Sequence, residues 1–278
     1  MEDAIKKRYI FMVLGIALFL PPLSILPQAA GEVNMCGAVC PRMFFILPAK
    51  DMWTGFINNI QSMWLGVTLV GMILIVTLFF GRLWCSHFCP VGGVTELGSK
   101  FIPKWLKIDF SFVNAPAFRY GYLVVYIAGA LIGIGNIACR LCNFRVIPFL
   151  IGSPFVPAYR TYLTTSMGLA GLMTVGLLGF VAKGGRGYCN LICPVGALDS
   201  VLNAVSAKLS FTNRVRTDMS RCNGCGRCVD SCIVWALKLD GGQKIKRDLF
   251  SCMSCRECEK VCPNGAISYE RVKEQNNM

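Results

Sequence analysis

Eight cysteines toward the end of this chain constrain its folding more than any other feature. Residues 222–232 read CNGCGRCVDSC and residues 252–263 read CMSCRECEKVCP, so each run follows C-x2-C-x2-C-x3-C. Such spacing lets three thiolates on one tight loop take three corners of a [4Fe–4S] cube, while the fourth corner comes from elsewhere in the fold. The doubled run therefore predicts two clusters. Structural zinc is the alternative use of clustered cysteines, and it accounts poorly for eight in this spacing. One departure is Ile233, where the pattern usually has proline; Cys262 keeps its Pro263.

Ahead of these runs the composition changes. Of the 278 residues 54% are hydrophobic, more than an ordinary soluble domain carries. Four apolar stretches, Tyr9–Leu26, Ser62–Phe80, Tyr120–Ala138 and Thr161–Ala182, approach the roughly 20 residues that cross a bilayer. The first, preceded by Lys6, Lys7 and Arg8, reads as a retained signal anchor. The expected fold is thus an all-α bundle of four transmembrane helices over residues 1–205, followed by a small α+β domain over residues 206–278. The net charge of +13 is explained by the positive-inside rule without nucleic acid. Five Lys/Arg (Arg82, Lys100, Lys104, Lys107, Arg119) fall in the loop after the second stretch, two (Arg42, Lys50) and three (Arg140, Arg145, Arg160) in the opposite loops. That bias predicts a prokaryotic cell-membrane protein, multi-pass, with both termini in the cytoplasm.

The apolar region is itself duplicated. Residues 81–92 read GRLWCSHFCPVG and residues 185–196 read GRGYCNLICPVG, placing Cys85 and Cys89 each 104 positions before Cys189 and Cys193. Further upstream in each copy lies another pair, Cys36/Cys40 and Cys139/Cys142, at offsets of 103 and 102. Two parallel repeats, about 1–105 and 106–205, would each supply half a site to either side of the membrane. Cys85, Cys89, Cys189 and Cys193 would hold an inner cluster; Cys36, Cys40, Cys139 and Cys142 would hold an outer one. Four clusters use all sixteen cysteines. The outer pairs have a second reading as disulfides, since they face the oxidising compartment. The apolar segments after Cys40 and Cys142 read either as re-entrant or as lying flat on the outer surface.

Two resemblances follow from these motifs. Over roughly residues 218–271 the chain resembles the bacterial two-cluster ferredoxins, in which the last cysteine of each run serves the other cluster. The resemblance implies Cys222, Cys225, Cys228 and Cys262 on one cluster and Cys252, Cys255, Cys258 and Cys232 on the other. With Cys85, Cys89, Pro90, Cys189, Cys193 and Pro194 included, residues 60–265 resemble the polytopic membrane iron–sulfur subunits found with periplasmic nitrate reductase and methylamine dehydrogenase. That resemblance implies an electron-transfer subunit of a larger redox complex. It would link cytoplasmic or quinone-pool electrons to an outer-side redox enzyme or carrier, with quinone as a further cofactor. The four outer cysteines depart from the family's usual pattern.

Other residues carry two readings each. Arg42, Arg140 and Arg145 beside the outer cysteines, and Arg82 and Arg186 at matching positions before the inner ones, either stabilise a reduced, anionic cluster or snorkel to the surface. His87, Glu96 and Asp199 are candidate proton carriers; His87 is the sole histidine. A lone histidine and no C-x-x-C-H exclude conventional haem. No Walker loop, Rossmann glycine pattern or catalytic triad is present, so catalysis belongs to a partner and enzymatic status stays open. Three alternatives stand beside the four-cluster subunit. One is a quinol dehydrogenase using the inner clusters; another is a transmembrane thiol-reductant carrier or maturation factor. The third is a redox sensor, for which no output domain is visible.

Overall fold

The computed structural model describes residues 2–29, 64–131, 140–241 and 244–271. Its first helix, α1 (Glu2–Phe19), stops ahead of Pro21-Pro22, joined by a cis peptide; α2 (Ile25–Ala29) is a single turn beyond. The apolar α3 (Trp64–Phe80) ends at Gly81, whose φ of 82° a side chain would resist. A π-helical turn, Trp84–Phe88, then leads into α4 (Pro90–Phe101). Cys89 caps α4, its Sγ accepting from the Gly92 amide at 3.5 Å, while Pro90 fills the first position, where no N–H is needed. After a 3₁₀ turn at Lys104–Leu106 come α5 (Ala115–Leu131), α6 (Asn143–Gly152) and α7 (Pro157–Thr164). Thr165 caps α8 (Ser166–Thr174), which continues as a π-helical stretch, Val175–Phe180. The second motif repeats the local structure of the first. Following α9 (Gly187–Leu191), Cys193 caps α10 (Pro194–Ser206) and accepts from Gly196 at 3.4 Å.

The remaining chain is a small unit of short elements. β1 (Asn213–Thr217) pairs antiparallel with β4 (Ile267–Arg271), Thr217 opposite Ile267. Between them lie α11 (Arg227–Asp230), the antiparallel pair β2 (Leu237–Leu239) and β3 (Ile245–Arg247), and α12 (Glu257–Lys260). Its core, built on Val215, Val234, Leu237, Met253 and Ile267, also takes in Cys228, Cys232 and Cys258. Two cores hold the helical unit. One joins Phe19 and Leu20 to Val91, Val146, Ile147 and Val175; the other gathers Tyr188, Leu191, Ile192 and Val195 around Cys189 and Cys193.

The expected bundle of four transmembrane helices is not what the described residues form. None of their helices is by itself long and apolar enough to cross a membrane; one bent pair, α7 with α8 and its π-helical extension, passes together but turns by 84°. The breaks have identifiable causes. Pro21-Pro22 cuts the first apolar run, and the helix before it opens on charged residues instead. The fourth run is interrupted where the Thr165 side chain accepts from the Gly168 amide and starts a new helix. α3 and α5 are each 17 residues long as described, and α5 carries Arg119 with a fully buried side chain. The described chain is a mixed helical fold with four short strands.

The two units share an extensive polar seam. Arg214 donates to the Thr77, Leu78 and Phe79 carbonyls at the open end of α3, and the Tyr269 hydroxyl donates to Phe80 O at 2.8 Å. Asn190 Nδ2 donates to Val234 O (2.9 Å) and Asn203 Nδ2 to Leu249 O (2.6 Å). The bonds to Leu78, Phe79 and Phe80 satisfy carbonyls that the end of α3 leaves unpaired.

Candidate metal centres

The helical unit builds its site from matched halves. Cys85, Cys89, Cys189 and Cys193 line one cavity, walled by Phe19, Ile73, Trp84 and Phe144. Two cysteines come from each GR…C-x3-C-P motif, and in each the second cysteine caps the following helix, fixing its sulfur at the helix N-terminus.

Around this cavity the repeats exchange charges. Arg82, ahead of the first pair, donates through Nε to Asp199 Oδ2 (2.9 Å), which follows the second pair; Thr77 also donates to Asp199. Arg186, ahead of the second pair, donates through Nε to Glu96 Oε2 (2.8 Å), which follows the first, and through Nη1 to Cys85 O (2.7 Å). All four side chains are almost wholly buried. Arg8 from α1 adds a third buried guanidinium, reaching Glu96 (2.6 Å) and Glu257 of the C-terminal unit (2.6 Å). Gly92 makes room for this arrangement: a Cβ there would stand 1.8 Å from Arg186 Nη1 and 3.5 Å from Cys189 Sγ.

The C-terminal unit forms two further cavities. Cys222, Cys225, Cys228 and Cys262 line one; Cys232, Cys252, Cys255 and Cys258 line the other. The last cysteine of each run thus faces the first three of the other. The backbone supports both crossovers in the same way, with the Ala236 amide donating to Cys232 Sγ and the Ala266 amide to Cys262 Sγ, each at 3.2 Å. Cys225 is exposed, whereas the second set has Cys232 and Cys258 buried with Cys252 and Cys255 half-buried, and desolvation pushes the Cys255 thiol up to about 12. Cys85 packs against the core that takes in Cys228, Cys232 and Cys258, and Asn203 on α10 donates to Cys252 O (3.4 Å), which brings the helical unit's site beside the second set.

The donor chemistry of all three sets fits [4Fe–4S] cubes. No carboxylate or imidazole lines any of the three cavities; Asp199 Oδ2 accepts from Cys85 Sγ at 3.3 Å, and in each set a backbone amide points at a sulfur. Among the described residues no three His, Cys, Asp or Glu groups converge on a point a single metal ion would occupy. A cube, with an iron at each of four separated corners, does not ask for that convergence.

Of the proposed outer site, Cys36, Cys40 and Cys139, together with Arg42, lie outside the described residues. Cys142 is buried at the start of α6, Arg140 is exposed, and Arg145 stacks over the Tyr162 ring at 4.2 Å. His87 is bonded through Nδ1 to Ser86 Oγ (2.7 Å), and burial together with the Arg8 charge pushes it down to about 4. It is therefore neutral at pH 7 and a poor proton acceptor. Glu96 and Asp199, read as proton carriers, are instead the partners of Arg186 and Arg82. Sequence reasoning passed over Arg8 and Arg119. Arg119 donates to Asn190 and to Phe250 O (3.0 Å), and its signal was a single charge at the edge of the third apolar run.

Comparison with known proteins agrees with this geometry. The family described as "4Fe-4S binding domain" matches twice, at residues 62–109 and 167–212, once over each inner motif. The family described as "4Fe-4S dicluster domain" matches residues 221–266. The chain is a ferredoxin-type iron–sulfur protein. It is 28% identical to the ferredoxin-type protein NapH of Escherichia coli over 70% of its own length and 65% of NapH. It is 26% identical to the methylamine utilization ferredoxin-type protein MauN of Methylobacillus flagellatus, over 67% of this chain and 62% of MauN. To the putative electron transport protein YccM of Escherichia coli it is 26% identical, over 68% of this chain and 51% of YccM. The matches thus span less than two thirds of each of these relatives. No solved structure matches.

Proposed function

We propose that this ferredoxin-type protein is an electron-transfer subunit of a membrane redox complex, with its described cysteine sets acting as three successive stations. Bound cubes would supply one-electron redox chemistry. Cys222, Cys225, Cys228 and Cys262 would hold the exposed station, Cys232, Cys252, Cys255 and Cys258 the middle one, and Cys85, Cys89, Cys189 and Cys193 the innermost. The observation that carries this reading is the packing of Cys85 against the ferredoxin core, together with the Asn203 bond to Cys252 O in the middle set. The buried arginines and carboxylates hold the innermost set in place and, with the apolar walls, exclude water from it.

A lipid bilayer is the proposed setting of the helical unit. Large apolar side chains face outward along its helices, among them Ile10 and Val13 on α1, Met72 and Ile75 on α3, and Val124 and Val125 on α5. Phe101, Trp105 and Phe112 are each at least 79% exposed, with Lys100, Lys104 and Lys107 interspersed. Aromatic rings and lysines in alternation suit a headgroup layer. We place the ferredoxin unit on the cytoplasmic side, receiving electrons from a cytoplasmic donor or from quinol. An outer-side enzyme or carrier is the proposed acceptor; the name of MauN, a methylamine utilization ferredoxin-type protein, supports a partner of this kind.

Iron and acid-labile sulfide per chain, measured on anaerobically purified protein, test the reading. About twelve irons are expected from the three described sets and about sixteen if the outer cysteines also hold a cube. Eight or fewer would remove the innermost station and with it the proposed route.

A further inference from the structure

A cavity of about 660 Å³ lies on the seam between the two units, and no cysteine lines it. That volume falls in the range of sites for drug-sized molecules. Its walls include Phe112 and Ala115 from the helical unit, and Trp235, Phe250 and Ser251 from the ferredoxin unit; Lys208, Lys238 and Lys246 stand around it. The lysines make no ion pair among the described residues.

Trp235 is the telling residue. The turn after Cys232 and the turn after Cys262 have the same backbone pattern: Trp235 N donates to Cys232 O (3.3 Å) and Gly265 N to Cys262 O (3.4 Å). Both turns need a residue in the left-handed region. The second uses Gly265 (φ 59°); the first uses Trp235 (φ 54°). Glycine occupies that conformation freely, whereas a bulky residue is a genuine outlier there and holds it only under strain. The indole is buried to 7% exposure, yet its Nε1–H has no hydrogen-bond partner among the described residues. Ser251 Oγ, on the same cavity at 1% exposure, has none either. Two buried polar groups without partners are an expense that native proteins rarely leave standing.

We infer that this cavity binds a planar aromatic ligand carrying an anionic group. The ring would lie against Trp235, Phe112 and Phe250; acceptor atoms would meet the indole N–H and the Ser251 hydroxyl; the lysines would take the negative charge. Ala236 and Arg247 line both this cavity and the one holding Cys232, Cys252, Cys255 and Cys258, so the bound ligand sits one wall from that cysteine set. A phosphorylated flavin has all of these features and is the natural probe.

The test is equilibrium ultrafiltration of the full-length, anaerobically purified protein with flavin mononucleotide, riboflavin or inorganic phosphate. The expected result is retention of close to one flavin mononucleotide per chain, with riboflavin and phosphate each held roughly ten-fold or more weakly. Trp235→Gly relieves the backbone strain, so its iron content should equal the parent's while flavin mononucleotide binding falls about ten-fold or more. Replacing Lys208, Lys238 and Lys246 together by glutamine should narrow the gap between flavin mononucleotide and riboflavin. No retention, equal retention of riboflavin, or unchanged binding in both variants would overturn the inference. Binding is read without electron transfer, so its failure would leave the relay intact, and loss of the relay would leave the binding result standing.

Discussion

The chain contains two duplications that solve the same ligand problem in opposite ways. In the ferredoxin unit each run supplies three thiols to its own site and lends its fourth to the other, so the cysteines themselves are exchanged. In the helical unit each repeat supplies two thiols to one shared site, and what is exchanged is charge: Arg82 goes to Asp199 and Arg186 to Glu96. Interleaved ligands bind the two halves through the metal. Shared half-sites bring four sulfurs together between units that would otherwise have little reason to stay in register, and the crossed ion pairs fix that register in the protein itself.

This difference can be broken experimentally, and ligand loss should have the largest effect. Cys89→Ala removes a corner of the shared site and should cost about four irons while the two ferredoxin sites remain; Cys262→Ala should instead cost the exposed station. Iron analysis with electron paramagnetic resonance distinguishes the two outcomes.

Loss of charge comes next. Glu96→Ala takes a carboxylate from two arginines, Arg186 and Arg8 (which keeps Glu257), whereas Asp199→Ala takes one from Arg82 and an acceptor from Thr77 and Cys85 Sγ. Removing one partner of a buried pair costs about 3–5 kcal/mol, so Glu96→Ala should lower the denaturation midpoint more than Asp199→Ala. Equal losses would mean that Arg8 contributes nothing at Glu96.

Packing should separate the two motifs by a smaller margin. A Cβ on Gly92 would meet Arg186 Nη1 at 1.8 Å, while one on Gly196 would meet Cys189 O at 2.9 Å and Arg82 Nη2 at 3.2 Å. Gly92→Ala should therefore cost about 1–3 kcal/mol in thermal or chemical unfolding, with Gly196→Ala at the low end of that range. The smallest change expected is Tyr269→Phe, which deletes one hydrogen bond across the seam to Phe80 O and should cost about 0.5–1.5 kcal/mol.

Ligand spacing was legible in the sequence because short runs of cysteines report a local geometry. Each of the three cavities is lined by four cysteines drawn from these runs and pairs. The charge exchange was not legible. Arg82 and Asp199 lie 117 residues apart, Arg186 and Glu96 90 apart, and nothing local marks them as partners. The matched placement of arginine before each pair and acid after it was visible, but pointed as well to cluster electrostatics or proton transfer. The apolar runs misled for a different reason. Hydrophobicity measures how much of a segment avoids water, not where its backbone stops being helical, and Pro21-Pro22 and Thr165 decide that locally. Trp235 in a glycine's conformation could not have been read at all without backbone angles.

Arg8 also sets an order of events. A ribosome makes this side chain 249 residues before its second partner, Glu257. Until then the guanidinium has Glu96 and the Ser86 carbonyl but not Glu257, so the contact from the first helix to the ferredoxin unit closes only after the last cysteine run has emerged and folded. A truncated or cluster-free product would leave that helix ajar, exposing a charge that the finished protein keeps wholly from water, and quality control would have a mark by which to tell incomplete chains from complete ones.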